Sequence, residues 1–403
     1  MGDASDDVSV PVTIITGFLG AGKTTLLERI LTANHGYRIA VVENEFGEEV
    51  GVEKLVARTG DEFAAGDKDG QSSGVVLDDL FVEMSNGCIC CAVKDDLVTT
   101  LEELVRRAGD RIDYIVIETS GLADPGPLSS IFWLDDELEC SLHLDAVITV
   151  VDLKNLERDL DNHGVSKGDG SIHLGGIVVN ETVLQLAHAD YVILNKRDLV
   201  SESETEAVIR RIDAFNPLAK KQTAEYGNVP ISDILSIFAF DRSAAAARLD
   251  ALFPSPCNHK GCDHETEASS HHVDHASLHD AAHSKLIGSF TLKFHTPFDL
   301  RKLNLFYGEL LWEGGNGEAN AQMTVLRSKG VVHVAVRHDD DIAPKADDRK
   351  HVLQAVRETF EIEATDVLWS SEETPPVSRI VFIGTKLDKD YISRGLENCL
   401  FAR

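Results

Sequence analysis

Basic side chains are scarce in this sequence. Its 403 residues hold 38 Lys and Arg against 68 Asp and Glu, a formal charge of −30. So acidic a surface repels phosphate backbones, which makes nucleic acid and anionic membranes poor partners and suits cations; solubility alone favours the same excess. Long apolar runs are missing too: nowhere do about 18 apolar residues follow one another, so no segment reads as a membrane span. Met1–Val10 is acidic and lacks the charged-then-apolar pattern of a secretory signal. Cysteine is sparse and odd in number, 7 in all, and three of the seven crowd into Cys88-Ile89-Cys90-Cys91. A disulfide framework spreads its cysteines out, so this usage points to a reducing compartment, cytoplasmic or nuclear, and to metal or redox chemistry. The rest is ordinary: 43% hydrophobic, 26% charged and 6% aromatic residues supply a core and exclude a mainly disordered chain. The length suggests two or three domains.

Val10–Thr16, VPVTIIT, is a β-branched run that stops at Gly17 and reads as a buried strand. A helix follows from about Lys23. Further strand-like runs are Arg38–Glu43, Tyr114–Glu118, Asp145–Val151 and Tyr191–Asn195, with helical patterns at Asp95–Ala108 and Glu204–Phe215. This alternation predicts an α/β domain over residues 8–253, a mostly parallel sheet covered on both faces. Gly60–Gly74 and Arg158–Gly176 read as polar surface inserts. Residues 254–285 hold seven of the 16 histidines and almost no aliphatic residues, as a linker does. Beyond it the texture changes. Ser289–His295 alternates, Asp299–Leu311 is helical, Met323–Ser328 and Val331–Val336 are strand-like on either side of Lys329-Gly330, Asp348–Phe360 reads as a helix, and Arg379–Gly384 with Lys389–Leu400 closes as strand and helix. The expectation for 286–403 is a smaller α+β domain.

Three short motifs carry chemistry. Gly17-Phe18-Leu19-Gly20-Ala21-Gly22-Lys23-Thr24 fits GxxxxGK[ST], after a strand and opening a helix. Its glycines let backbone N–H groups turn around a phosphate, Lys23 reaches the β- and γ-phosphates and Thr24 ligates Mg²⁺. Asn195-Lys196-Arg197-Asp198 fits NKxD at a strand end. A carboxylate there accepts two hydrogen bonds from the N1–H and N2–H₂ edge of guanine, which adenine cannot supply; the plain alternative is that Asp198 caps the next helix. Glu118-Thr119-Ser120-Gly121 closes an apolar strand: Glu118 can hold Mg²⁺ through water and the Gly121 N–H can sense a γ-phosphate.

Cys88, Cys90 and Cys91 supply three thiolates, suited to Zn²⁺ or Cu(I), and leave a fourth position open or filled from elsewhere; a redox thiol cluster or a packing motif is the alternative. Cys257, His259, Cys262, His264 and five further histidines to His283 form a second, cation-rich tract without finger spacing, either a loose metal sponge or a solvated linker. His143, His188 and His333 read as fillers, and Cys140 and Cys399 as packed thiols.

TGFLGAGKTTLL, ENEFGE at Glu43–Glu48, SNGCICC, ETSGLADP and NKRD occur in one order. This set resembles the CobW-type GTPases of the SIMIBI class, and within them the eukaryotic zinc-regulated GTPase metalloprotein activators; the end of the chain resembles the CobW C-terminal domain. The resemblance implies GTP, Mg²⁺ and Zn²⁺ as ligands, with Thr25 joining Lys23, Thr24 and Glu118 at the phosphates, Glu43–Glu48 and the cysteine loop as switches, and a client metalloprotein, notably type 1 methionine aminopeptidase, as recipient of zinc. The subgroup's docking motif, Cys-Pro-x-Leu-Val-Pro, is represented by Asp6-Asp7-Val8-Ser9-Val10-Pro11, which keeps only Val-Pro. No arginine finger or water-positioning glutamine is evident, so hydrolysis is expected to be slow alone and to call on the client or a homodimer. Competing readings are a zinc buffer or sensor with vestigial GTPase activity and an ATP-dependent P-loop kinase; Asp198 argues against the latter.

Overall fold

The computed structural model describes residues 9–44, 56–59, 98, 101–102, 104–108, 111–134, 142–161, 172–174, 177–252, 287–312, 323–336, 345–369 and 376–401. The first part of the chain builds strands β1 (Val10–Thr16), β2 (Arg38–Asn44), β3 (Val56–Thr59), β4 (Tyr114–Thr119), β5 (Leu142–Asp152), β6 (Ile172–Leu174), β7 (Ile177–Val179), β8 (Tyr191–Asn195) and β9 (Lys220–Thr223). Its helices are α1 (Lys23–Thr32), α2 (Pro125–Leu134), α3 (Leu156–Asp161), α4 (Glu181–His188), α5 (Glu202–Phe215) and α6 (Arg242–Leu252), besides helical residues within 98–108. Seven strands form one sheet in the order β3-β2-β4-β1-β5-β8-β9. Every pairing is parallel except that of edge strand β3 with β2.

Apolar runs rather than alternation mark these strands because both faces are covered. Ile14 packs with Leu101, Leu104, Ile131 and Phe132 on one face. The next residue, Ile15, packs with Leu26, Leu27 and Ile30 of α1 on the other. Arg158–Gly176 is not wholly irregular: α3 ends at Asp161 and β6 pairs with β7 in a small hairpin. Leu156 and Leu160 anchor α3 in the core, which a reading of the segment's polar composition overlooks.

The second part contains β10 (Ile287–Phe294), β11 (Phe298–Asp299), α7 (Leu300–Trp312), β12 (Thr324–Val332), β13 (Val334–Val336), β14 (Lys345–Ala346), β15 (Arg349–Val356), β16 (Thr359–Leu368), β17 (Ser378–Thr385) and α8 (Lys389–Asn398). An antiparallel sheet runs β10-β17-β12-β15-β16. Two expectations are corrected. Asp348–Phe360 is not a helix but the hairpin β15–β16, turning at Arg357, and Lys329-Gly330 lies inside β12, whose ladder with β15 and β17 passes straight through.

Helices α7 and α8 cover one face of this sheet, with Phe306, Leu310, Ile392 and Leu396 against Phe382 and Val332. Its other face meets the first part of the chain. Leu326, Val381 and Ile383 join the cluster built by α4, α5 and β8. Cations on that face find carboxylates across the boundary: Arg327 and Lys329 on Asp190, Lys350 on Asp250 at 2.6 Å. Arg327 and Asp190 are almost wholly buried. Against the cost of burial, the two cations hold the Asp190 carboxyl down at about 2. Burial, with the neighbouring Arg327, pushes the Lys329 ammonium down to about 7.

Candidate nucleotide site

Three parallel strands deliver their ends to one edge of the sheet, where open α/β sheets bind ligands. At the end of β1 the chain turns sharply. Gly17 has φ 143° and a Cβ there would lie 2.2 Å from the Val150 carbonyl oxygen of β5; Gly22, with φ 107°, has Asn195 Nδ2 where its Cβ would be. Both positions require glycine, for conformation and for space. Gly22 is the N-cap of α1 and no side chain caps it, so the helix start turns first-turn N–H groups, those of Thr24 and Thr25 among them, toward the loop, as helix N-termini that bind anions do. Gly20 is also left-handed, and Ala21 donates its N–H to Phe18 O at 3.2 Å to close the turn. Lys23 is buried and its Nζ donates to Gly17 O at 2.8 Å, so its charge lies across the mouth of the loop.

At the end of β4, Glu118 Oε1 accepts a 3.4 Å hydrogen bond from Thr24 Oγ1. Two hard oxygens converge there, the donor set that Mg²⁺ takes together with phosphate and water. The next turn presses on the phosphate loop: a Cβ on Gly121 would lie 2.6 to 2.8 Å from Leu19 atoms. Gln185 of α4, fully buried, donates through Nε2 to the carbonyls of Gly121 and Ala123, each at 3.1 Å. No sequence signal marks Gln185, a single amide within the run from Val183 to Ala187.

At the end of β8, Asn195 is a brace. Its Nδ2 donates to Ala21 O at 2.9 Å and its Oδ1 accepts from Gly227 N–H at 2.9 Å, tying the phosphate loop to the loop after β9. Lys196 is left-handed, φ 61°, and its Nζ donates to Asp152 Oδ2 at 2.8 Å. Burial works against the Asp152 charge, but the hydrogen bonds from Lys196 and Asn155 outweigh it and hold the carboxyl below its usual range. Asp198 is exposed, inside the 3-10 turn Arg197–Leu199. It does not cap α5. Ser201 does, in a reciprocal capping box with Glu204. The cysteine triplet, the remainder of Glu43–Glu48 after Asn44, the insert Gly60–Gly74 and the His-rich tract lie outside the described residues; among those described, no three or more His, Cys, Asp and Glu side chains come together as a metal site. Cys399 is a packed thiol, raised to about 11 mainly by burial. His188 is fully buried and His333 half-buried, as fillers are.

This is the architecture of a P-loop NTPase with a C-terminal β-rich domain. The family model for the CobW/HypB/UreG nucleotide-binding domain matches residues 11–222, and that for the cobalamin synthesis protein cobW C-terminal domain matches residues 287–400. The chain belongs to the CobW/HypB/UreG family, and it is a GTPase. It is 34% identical to Zinc-regulated GTPase metalloprotein activator 1 of Schizosaccharomyces pombe, over 88% of this chain and 76% of that one. The protein of the same name from Saccharomyces cerevisiae is 30% identical, over 99% and 85%. Zinc chaperone CobW of Pseudomonas aeruginosa is 37% identical, over 69% and 72%. The crystal structure of Zn(II)-bound YjiA GTPase from E. coli covers 98% of this chain and 100% of that one with a TM-score of 0.63 at 24% identity, a likeness of fold. Among the described residues no helix is long and apolar enough to cross a membrane.

Proposed function

We propose that this chain is a GTP-hydrolysing zinc metallochaperone whose nucleotide state gates the loading of zinc onto a client apoprotein. The observation that carries the nucleotide half is the convergence of strand ends: Asn195 reaches Ala21 O at 2.9 Å and Thr24 reaches Glu118 at 3.4 Å. In this reading residues 8–253 are the GTPase domain with its metal loop, 254–285 a His-rich linker and 286–403 the C-terminal domain. Lys23 and the first-turn N–H groups of α1 hold the β- and γ-phosphates, and Gly121 N–H faces the γ-phosphate. Asp198 reads the guanine edge, with Asn195 and Lys196 fixing the turn that presents it. Thr24 and Glu118 would hold Mg²⁺, which would neutralise charge on the β- and γ-phosphates.

The zinc half is supported by the names of the relatives and by Cys88, Cys90 and Cys91 in the sequence. Three thiolates with an open fourth position suit transfer rather than permanent structure. The client is a metalloprotein, for which type 1 methionine aminopeptidase is the candidate offered by the resemblance; the setting is cytoplasmic, and a homodimer would supply what hydrolysis lacks. Zinc titration with a GTP analogue, with GDP and without nucleotide tests the reading. If nucleotide orders the cysteine loop, zinc binds about 5–150-fold more tightly with the GTP analogue than with GDP, and by linkage zinc tightens the analogue over GDP by the same factor. Cys90→Ser erases both effects while nucleotide still binds. Equal zinc affinity in both states, with several weak ions held by 254–285, favours the buffer instead.

A further inference from the structure

The loop that follows the Glu118 strand end is held from two sides, and one holder belongs to the second sheet. Gln185 grips Gly121 and Ala123 from below. Asp124, the last residue before α2, caps that helix, its Oδ1 accepting from Gly126 N–H at 2.9 Å. Its other oxygen accepts from Arg357 Nη2. Arg357 stands at the tip of the β15–β16 hairpin, more than two hundred residues away in the chain, and both side chains are largely buried.

The hairpin tip is built to aim that guanidinium. Arg357 has φ 57°, a left-handed conformation in which its Cβ crowds the following carbonyl oxygen and which glycine adopts freely. Its N–H donates to Leu326 O at 3.0 Å, and the indole N–H of Trp312 donates to Glu358 O at 2.8 Å, so the tip is fixed to both β12 and α7. His188 fills the space behind. Its ring lies 3.7 Å from Asp124, and burial, partly opposed by Asp124, keeps it neutral with its pKa pushed down to about 3. A Cβ on Gly126 would lie 2.7 Å from the His188 ring and 3.0 Å from Arg357 Nε. Gly126 is thus held against both His188 and Arg357, and the strained residue is the one that supplies the charge.

We infer that Arg357 is a positioning residue for GTP hydrolysis: through Asp124 it fixes the Gly121–Asp124 loop against the phosphate loop, so that the C-terminal domain sets the geometry of the γ-phosphate pocket. This rests on the reading that Gly121 faces that phosphate. Arg357 acts on that loop through Asp124. Its effect therefore falls on turnover rather than on affinity, since a displacement of a reacting group by about 1 Å can cost up to a hundredfold in rate while the rest of the binding site is intact.

Arg357→Gly separates positioning from folding, because glycine keeps the left-handed turn without strain. The expected result in single-turnover and steady-state phosphate release is a loss in kcat of about tenfold with KM for GTP within about twofold of wild type; loss of the buried ion pair lowers the thermal midpoint, and relief of the left-handed strain offsets part of that. Asp124→Asn keeps the cap on Gly126 but not the charge pair, and gives the same kcat loss. The double variant is no slower than either single one, as two halves of one contact require. A kcat for Arg357→Gly within twofold of wild type, or a double variant whose loss is the product of the single losses, overturns the inference. Lys23→Ala, measured alongside, separates the two layers. If it retains turnover, the phosphate-site reading falls and the positioning role with it. If it loses turnover while Arg357→Gly keeps it, only the positioning role falls.

Discussion

The parallel sheet keeps its working polar residues at its strand ends; the antiparallel sheet keeps them on one face. In the first, β1, β4 and β8 are buried on both sides, and only the turns after Thr16, Thr119 and Asn195 are free to meet a ligand. In the second, α7 and α8 cover one face, while Arg327, Lys329, Lys350 and Gln354 project from the other toward Asp190, Ala239, Asp250 and Phe240 of the first part. Covering both faces with helices leaves a sheet its ends for chemistry; covering one leaves a face for docking. The difference teaches where damage should fall. Changes at the ends should alter turnover and spare stability, and changes on the face should do the reverse, with Arg357 as a bridge between them.

The largest effect expected at the ends is that of Lys23→Ala. It removes the point charge at the mouth of the phosphate loop, and GTP turnover should fall by about a hundredfold or more in a phosphate-release assay. The lost hydrogen bonds to Gly17 and Phe18 should shift stability by only about 1 kcal/mol. A large drop in the urea midpoint with turnover preserved would invert the comparison.

On the face, Asp190→Asn should be the most damaging change. Asp190 answers both Arg327 and Lys329 in a nearly dry site, and removing its charge strips the buried Arg327 guanidinium of that counter-charge while Lys329, already held at about 7, is pushed further toward its neutral form. Breaking such a pair typically costs about 3–5 kcal/mol, readable as a fall in the urea midpoint. Affinity for a GTP analogue should stay within about twofold, because Asp190 begins β8 and the ligand turn is at its other end.

Acid should act through the same boundary. The folded His188 has a pKa of about 3 against about 6.5 in an unfolded chain. Its contribution is therefore whole above pH 6.5 and is lost as pH falls from there toward 3, by up to about 1.4 kcal/mol per pH unit. Asp190, held at about 2, adds a further loss below about pH 3.9. Unfolding midpoints followed from pH 7 to 4 should fall for the wild type and fall less steeply for His188→Leu.

The same contrast explains what the sequence made legible. Parallel strands covered on both faces must be apolar runs, so Val10–Thr16, Tyr114–Glu118 and Tyr191–Asn195 stand out, and the ligand motifs follow them directly because strand ends are where ligands bind. The face is harder to read. His351–Val356 is rich in residues that also suit helices, and its state is decided by pairing with β12 and β16, a tertiary effect that overrides local preference. The hairpin turns at Arg357-Glu358 without the Gly or Asn that announces such turns, and the strain that replaces them is what aims the guanidinium. Gln185 escapes notice, and Asp124 stands out only as part of ETSGLADP and not as the partner of Arg357, for a related reason: each acts on a partner distant in the chain, and no short motif encodes a distance.

The smallest effect sharpens the site itself. Asp198 and Ser201 lie three residues apart, and either can be read as the start of α5. The structure assigns the cap to Ser201, whose hydroxyl accepts from Glu204 N–H at 3.3 Å while Glu204 Oε2 accepts from Ser201 N–H at 2.7 Å. Ser201→Ala should therefore cost about 1 kcal/mol in urea unfolding and leave nucleotide preference alone. Asp198→Asn should do the opposite. It caps nothing in the fold, so the urea midpoint should stay where it is. If its carboxylate accepts the guanine edge, preference for GTP over ATP should fall by about 10²–10³-fold in competition binding, since the amide brings a donor toward two donors. A loss of stability with Asp198→Asn, and an unchanged preference, would return that residue to the helix and leave the base without its reader.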